Sequence, residues 1–374
     1  MKRGGLVLFF LLIFISSIFA LKEWTVLVYL NCDNNLEPYG IQDFMEMAAV
    51  GSDANINIVV QMDRALGYST TYGDWRSCRR FYITAGMTPS SPYLSDLGEV
   101  DMGSPNTLSD FLMWGYDNYP ANNFLVVLWD HGDGWTKGSP DLMGGLFKDF
   151  SNDDSSGKSI SVAGGELDSA LSTVFSHTGR KIELIGFDAC LMQMFEVNEV
   201  CAPYASWYVA SEETEGADGW IYSSWLDPLA KANGGMTPAQ LGDKIAETYV
   251  NQGQSTQSVV DLSRIATAKT LLNTFAVKMR EAIWLGYSST INTLINNTTH
   301  MLQPYDPYGY FPPSHDYRDL GDFCDLVASS SLPATAKTAA ADLKNEFANL
   351  VYSNHTYGTG YSDCDGVAIY LPTP

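Results

Sequence analysis

Phe124-Leu-Val-Val-Leu-Trp129 is six apolar residues that run straight into Asp130-His131-Gly132-Asp133-Gly134-Trp135. A second stretch repeats the form: Ile182-Glu-Leu-Ile-Gly-Phe187 leads into Asp188-Ala189-Cys190. Short, near-continuous apolar runs rich in β-branched residues are the pattern of strands covered on both faces. Working outward, comparable runs occupy Trp24–Leu30, Ile56–Met62, Tyr208–Ser211, Ser258–Val260 and Val367–Leu371. Between them lie segments of helical period: Leu36–Val50, Asn106–Tyr119, Gly165–His177, Ser263–Trp284 and Pro333–Tyr352. Thr237-Pro238-Ala239-Gln240 has the cap residue, first-turn proline and reciprocal glutamine that start a further helix. Strands alternating with helices predict an α/β protein, a mostly parallel central sheet with helices on both sides.

The polar stretch Thr136–Ser161 and the Pro- and Tyr-rich stretch Gln303–His315 read as loops within one unit, not as linkers. A single domain over residues 22–374 is therefore expected. Ahead of it, Met1-Lys2-Arg3, the apolar run Leu6–Ile15 and the small Ala20 have the order of a signal peptide. Removal near Ala20 is preferred to a retained anchor. It predicts a secreted or extracytoplasmic protein with no stable membrane association afterwards.

The formal charge is −22 over the 374 residues, and loss of Lys2 and Arg3 would take it to −24. Such a surface repels nucleic acid and would attract basic substrates, although solubility alone also explains it. Six cysteines are too few for a disulfide scaffold of this length. Cys190 and Cys201 are expected about three turns apart on one helix, too far to bridge.

In an open α/β sheet, ligands bind beyond the carboxyl ends of the strands. That rule places His131, Cys190 and the acids of Glu212-Glu213-Thr214-Glu215-Gly216-Ala217-Asp218 on one rim. A thiolate attacks, and a neighbouring imidazole can take the thiol proton and return it to a leaving amine. The N–H groups of Gly132 and Cys190 could form an oxyanion hole, and a helix opening at Cys190 would favour the thiolate. The plainer readings are a core cysteine and a loop histidine. His177, His300, His315 and His355 have no metal-ligand spacing with a cysteine, so no metal ligand is assigned and a zinc site is not expected. Asn35, Asp153, Asp154 and the acids after Ser211 could take calcium, although such runs are usually solvated loops.

With these residues in place, the chain resembles the clostripain-like cysteine peptidases, relatives of caspases, legumain and gingipain. The resemblance rests on Thr25–Leu30 with Asp33-Asn34-Asn35-Leu36, on Leu128–Trp135, on Ile185–Met192, on Ala210–Glu215 with Asp218-Gly219-Trp220, and on Asp319–Phe323. It implies a caspase-like three-layer α/β/α sandwich and a catalytic dyad matching His131 and Cys190. It also implies a pocket for a basic side chain lined by Asp188 and Asp218, hence protein or peptide substrates cut after Arg or Lys. For Asp188 the competing role is a cap on the following helix; Asp130 is expected to hold the histidine loop. No cofactor is required for the chemistry, and some relatives depend on calcium. Some cut themselves between histidine and cysteine, here after Lys137, Lys148 or Lys158. Relatives often continue past the strand matching Val367–Leu371, so a short member and an incomplete product both remain open. A different side-chain preference, and an inactive secreted binding protein, are the alternatives.

Overall fold

The computed structural model describes residues 21–135, 149–301 and 316–372. The expected signal segment 1–20, Lys137, Lys148 and the whole Pro- and Tyr-rich stretch Gln303–His315 lie outside them. The strands are β1 (Lys22–Cys32), β2 (Ile56–Arg64), β3 (Arg79–Tyr82), β4 (Ser95–Asp96), β5 (Ala121–Trp129), β6 (Phe150–Asp153), β7 (Lys158–Ile160), β8 (Ile182–Asp188), β9 (Ala205–Ala210), β10 (Thr256–Asp261), β11 (Tyr317–Asp319), β12 (Val351–Thr356) and β13 (Ala368–Tyr370). The helices are α1 (Glu37–Val50), α2 (Pro105–Asn118), α3 (Glu166–Thr178), α4 (Phe195–Cys201), α5 (Tyr222–Lys231), α6 (Pro238–Val250), α7 (Ile265–Trp284), α8 (Ser288–Asn297), α9 (Leu320–Ser329) and α10 (Ala334–Leu350).

Among the described residues one sheet dominates, in the order β12-β10-β9-β8-β5-β1-β2-β3-β4. Its five middle strands, β9, β8, β5, β1 and β2, pair in parallel, and the flanks are antiparallel. Every second residue of β1 faces the same way. Trp24, Val26, Val28 and Leu30 pack with α1, α5 and α6, whereas Leu27 and Tyr29 pack with α2 and α3 on the other face. Each large apolar side chain so buried is worth about 1.5–3 kcal/mol. The expected three-layer arrangement is present. The capping box at Thr237 also forms, with Thr237 and Gln240 exchanging side-chain and backbone hydrogen bonds at the start of α6.

Several local expectations are corrected. The stretch Thr136–Ser161 is not loop throughout, because β6 and β7 pair as a hairpin. Lys158, one of the three candidate processing points, lies in β7 with its Nζ on Asp101. Val367–Leu371 does not join the main sheet; β13 pairs with β11 in a separate two-stranded sheet. The long C-terminal helix stops at Leu350, and the β-branched, polar Val351–Thr356 adds an edge strand. Residues 190–194 form a turn, so Cys190 and Cys201 do not share a helix. All six cysteines are unpaired, and every one except Cys190 is buried. Among the described residues, no helix is long and apolar enough to cross a membrane.

Candidate active site

Trp129 of β5 lies opposite Asp188 of β8, and the Asp130 N–H reaches the Asp188 carbonyl at 3.3 Å. His131 and Cys190 each follow two residues beyond that pair, so parallel register alone carries them to the same rim. The chains that bear them touch. A side chain at Gly132 would put its Cβ 2.5 Å from the Cys190 carbonyl oxygen and 3.1 Å from Ala189 Cβ. At Gly134, with φ +69°, a Cβ would come 2.5 Å from Met194 Sδ and 3.1 Å from the Leu191 carbonyl oxygen. The glycines thus let two loops close on each other, a tighter requirement than room for a substrate carbonyl.

Asp130 is buried and holds this loop, as expected. Its carboxylate accepts from Asn31 Nδ2 at 3.0 Å, Asn34 Nδ2 at 2.8 Å and the His131 N–H at 2.6 Å. The ring of His131 meets a residue not foreseen for this role: Nε2 is 2.8 Å from Asn35 Oδ1. An amide oxygen only accepts, so Nε2 carries the proton and Nδ1 is left as the basic nitrogen. The sequence signal was present in Asp33-Asn34-Asn35, the polar turn that immediately follows β1.

Cys190 is half-buried, but it does not open a helix. α4 begins five residues later with Met194 as its cap, so a helix dipole does not act on the sulfur. Leu191 adopts φ +62°, a strained conformation for a branched side chain that makes the turn after the cysteine sharp. The turn is fixed from outside: Leu191 N–H donates to the Glu213 carbonyl and Gln193 N–H to the Ser211 carbonyl. Glu215 N–H donates to the Cys190 sulfur at 3.2 Å, and the Glu215 carbonyl lies 3.7 Å from it. Burial pushes the thiol up to about 11; Glu213 and Asp133 push the same way, against the Glu215 N–H. From the far side, Tyr317 Oη donates to the Asp133 carbonyl, and Ala368 N–H to the Gln193 carbonyl. The small β11–β13 sheet therefore braces both loops.

Asp188 does not cap a helix. Its oxygens accept from Trp220 N–H at 3.2 Å and Tyr222 Oη at 3.0 Å, which folds Asp218-Gly219-Trp220 back over the strand end. Trp220 can lie there because Gly186 has no side chain; a Cβ would come within 2.7 Å of the indole. Asp43, buried on α1, accepts from Trp129 Nε1 at 2.7 Å while its other oxygen has no partner. Glu46 accepts from the Tyr222 N–H. Asp218 is exposed but close enough to raise the pKa of both Asp43 and Glu46. Burial raises Asp43, Glu46, Asp188 and Glu215 above the usual carboxylate range. Among the described residues none of the four makes an ion pair. Four acids therefore cluster beside Cys190, and among the described residues no Lys or Arg pairs with them.

A second acidic group lies under the Asp33–Asn35 turn. Carboxylate oxygens of Asp33, Glu99 and Asp153 fall within 4.8 Å of one another. Asp63, fully buried at the end of β2, is pushed up to about 9, first by burial and then by Glu99, and its Oδ2 has no partner. Glu99 is pushed up to about 7 for the same reasons, burial and then Asp33 and Asp153. The trio is an all-oxygen, hard donor set of the kind calcium takes, and the orphaned oxygen belongs to Asp63 beside it. Of the residues considered for calcium from sequence, Asp153 belongs here, whereas Asn35 faces His131. Glu212, Asp319 and Cys364 form a further buried group.

Solved structures share this architecture. An inactive zymogen C11 protease from Parabacteroides distasonis superposes with a TM-score of 0.68 at 20% identity, over 95% of this chain and 93% of its own. A secreted C11 cysteine protease from Bacteroides thetaiotaomicron, in complex with an irreversible peptide inhibitor, gives 0.61 at 20% identity, over 94% and 92%. The sheet and its two helical layers are thus the caspase-like architecture of these cysteine proteases. The model of the clostripain family matches residues 28–374, and the chain belongs to that family. Clostripain from Hathewaya histolytica is 25% identical over 403 residues, spanning 94% of this chain and 75% of its own.

Proposed function

We propose that the protein is a secreted endopeptidase that cuts after Arg or Lys through Cys190 and His131. His131, its Nε2–H on Asn35, takes the thiol proton at Nδ1 as sulfur attacks the scissile carbonyl. The resulting oxyanion is held by the N–H groups of Gly132 and Cys190. His131 then protonates the leaving amine, and water hydrolyses the thioester by the same route. Asp188, with Asp218 at the mouth, receives the cationic side chain. The observation that carries this preference is the buried Asp188 carboxyl two residues before the cysteine, surrounded by other acids and by no cation among the described residues. A desolvated carboxylate pairs best with the two-pronged guanidinium.

Calcium, which the family resemblance implied for some members, would be held by Asp33, Glu99 and Asp153 with Asp63 behind them. It would supply positive charge that steadies the turn bearing Asn35. The test is the reduced mature enzyme offered peptides differing only in an Arg, Lys or norleucine before the cut, with and without calcium. A thiol-directed arginine peptide inhibitor should label Cys190. Equal cleavage of all three peptides would reject the basic preference, and a label elsewhere would reject the nucleophile.

A further inference from the structure

Glu215 has a double position in the site. Its backbone N–H and carbonyl face the Cys190 sulfur, and its side chain turns back to the Asp188 carboxyl. Both Glu215 carboxyl oxygens are buried; the Trp220 indole N–H faces them, and no donor of the described residues comes within hydrogen-bond distance. Asp188, in contrast, already accepts from Trp220 and Tyr222. Two buried carboxylates facing each other repel unless a proton lies between them. The donors on Asp188 favour its charged form, so the proton belongs to Glu215, which donates it to Asp188.

We infer that Glu215 is a specificity-determining residue: its carboxyl group shares one proton with Asp188, and the substrate's basic side chain replaces that proton. This rests on the basic-residue reading above. The O–H of Glu215 is lost to solvent as H+, no other bond breaks, and the guanidinium or ammonium then pairs with two carboxylates where one was charged before. A neutral side chain cannot make the exchange and must leave a buried charge or proton unpaired. Because the same residue holds the Cys190 sulfur by its backbone, the pocket that reads the side chain is joined directly to the nucleophile.

The other titratable groups facing Glu215 are Cys190, Tyr222 and Tyr249, all raised by burial, so none of them exchanges protons near neutrality. Asp43 and Glu46 stand behind Asp188. The experiment uses the full mature chain carrying Cys190→Ala, so that His131 is not drawn into a covalent adduct. Peptides spanning the cut, with Arg or norleucine before it, are titrated calorimetrically at pH 8, where Asp188 is ionised, in two buffers of different ionisation heat. The arginine peptide should release about one proton and the norleucine peptide none. Adding Glu215→Gln should abolish the release and weaken arginine binding at least tenfold. Arginine binding no tighter than norleucine binding would overturn the basic-pocket reading itself. Tighter arginine binding with no proton released, or with the same release after Glu215→Gln, would overturn the role of Glu215 alone.

Discussion

Trp129 and Asp188 are register partners in the parallel pairing of β5 with β8, and the whole site is measured from that pair. Two residues past it, on adjacent strands, stand His131 and Cys190. A parallel ladder cannot slip by one residue without turning every side chain to the opposite face. The packed core therefore fixes the distance between the two loops.

Their closeness makes Gly132→Ala a severe change. The new Cβ would meet the Cys190 backbone carbonyl at 2.5 Å, and backbone cannot move aside as a flexible side chain can. Overpacking of this kind costs about 1–3 kcal/mol, and separating the loops would cost more in rate. Expected are a urea midpoint lowered accordingly and a kcat reduced at least 100-fold. Wild-type kcat in a stably folded variant would show that the loops need not touch.

Asn35 orients His131 through Nε2, at 2.8 Å. Asn35→Ala should reduce kcat by about 10- to 100-fold, part of the 10²–10⁴ that positioned proton transfer contributes. KM should hardly change, because Asn35 faces the ring and not the acidic pocket. The pH–rate profile is the sharper readout: its histidine limb should move. An unchanged limb would reduce Asn35 to a turn residue.

Asp188→Asn removes the charge but keeps the contacts: its Oδ1 can still accept from the Trp220 N–H, and its Nδ2 can donate to Tyr222 Oη, which turns from donor to acceptor. Loss of one partner of a buried charge pair costs about 2–5 kcal/mol, so kcat/KM on arginine peptides should fall about 30-fold or more. Norleucine peptides should lose far less. An equal loss on both would mean that Asp188 supports the turn and not the substrate.

The sequence made the sheet and the rim legible for a physical reason. The middle strands are buried on both faces and so are apolar throughout, and the residue that follows each must lie at the carboxyl edge. What was missed lacked that signal. β4 and β12 are the edge strands and β3 lies just inside the two-residue β4, so Arg79-Arg80-Phe81-Tyr82 or Val351–Thr356 reads as polar chain because only part of it is covered. Cys190 was expected to open a helix because Leu191–Val200 has helical composition. The positive φ at Leu191 and the extended backbone of Met194 delay the helix to Phe195, and tertiary bonds to Ser211 and Glu213 impose that delay. Glu215 and Asp43 were legible only as members of acidic or helical stretches; their burial beside Asp188 depends on contacts far apart in the chain.

Asp63 gives a prediction in which stability and metal binding have opposite demands. Its carboxyl is pushed up to about 9 and that of Glu99 to about 7, against about 4 in an unfolded chain. Between those limits the folded state holds protons that the unfolded state has released. Their contribution to stability is thus complete below about pH 4 and is lost as pH rises toward 9. In a chelator the melting temperature should fall from pH 5 to pH 9. Asp63→Asn, which retains an oxygen to accept the Arg64 N–H that Asp63 Oδ1 accepts at 2.8 Å, should flatten that fall. Relief of a buried carboxyl that must hold its proton at pH 8 and lacks a partner for Oδ2 is worth about 1–3 kcal/mol. Calcium should do the reverse, raising the melting temperature of the wild type at pH 8, where Glu99 is ionised and the cation can displace the proton that Asp63 still holds, and that of Asp63→Asn much less. Circular dichroism melts of both proteins, with calcium and with chelator, separate the two effects. An Asp63→Asn protein less stable than wild type in chelator at pH 8 would mean that the carboxylate is satisfied without a cation, and an identical calcium response in the two would place the ion elsewhere.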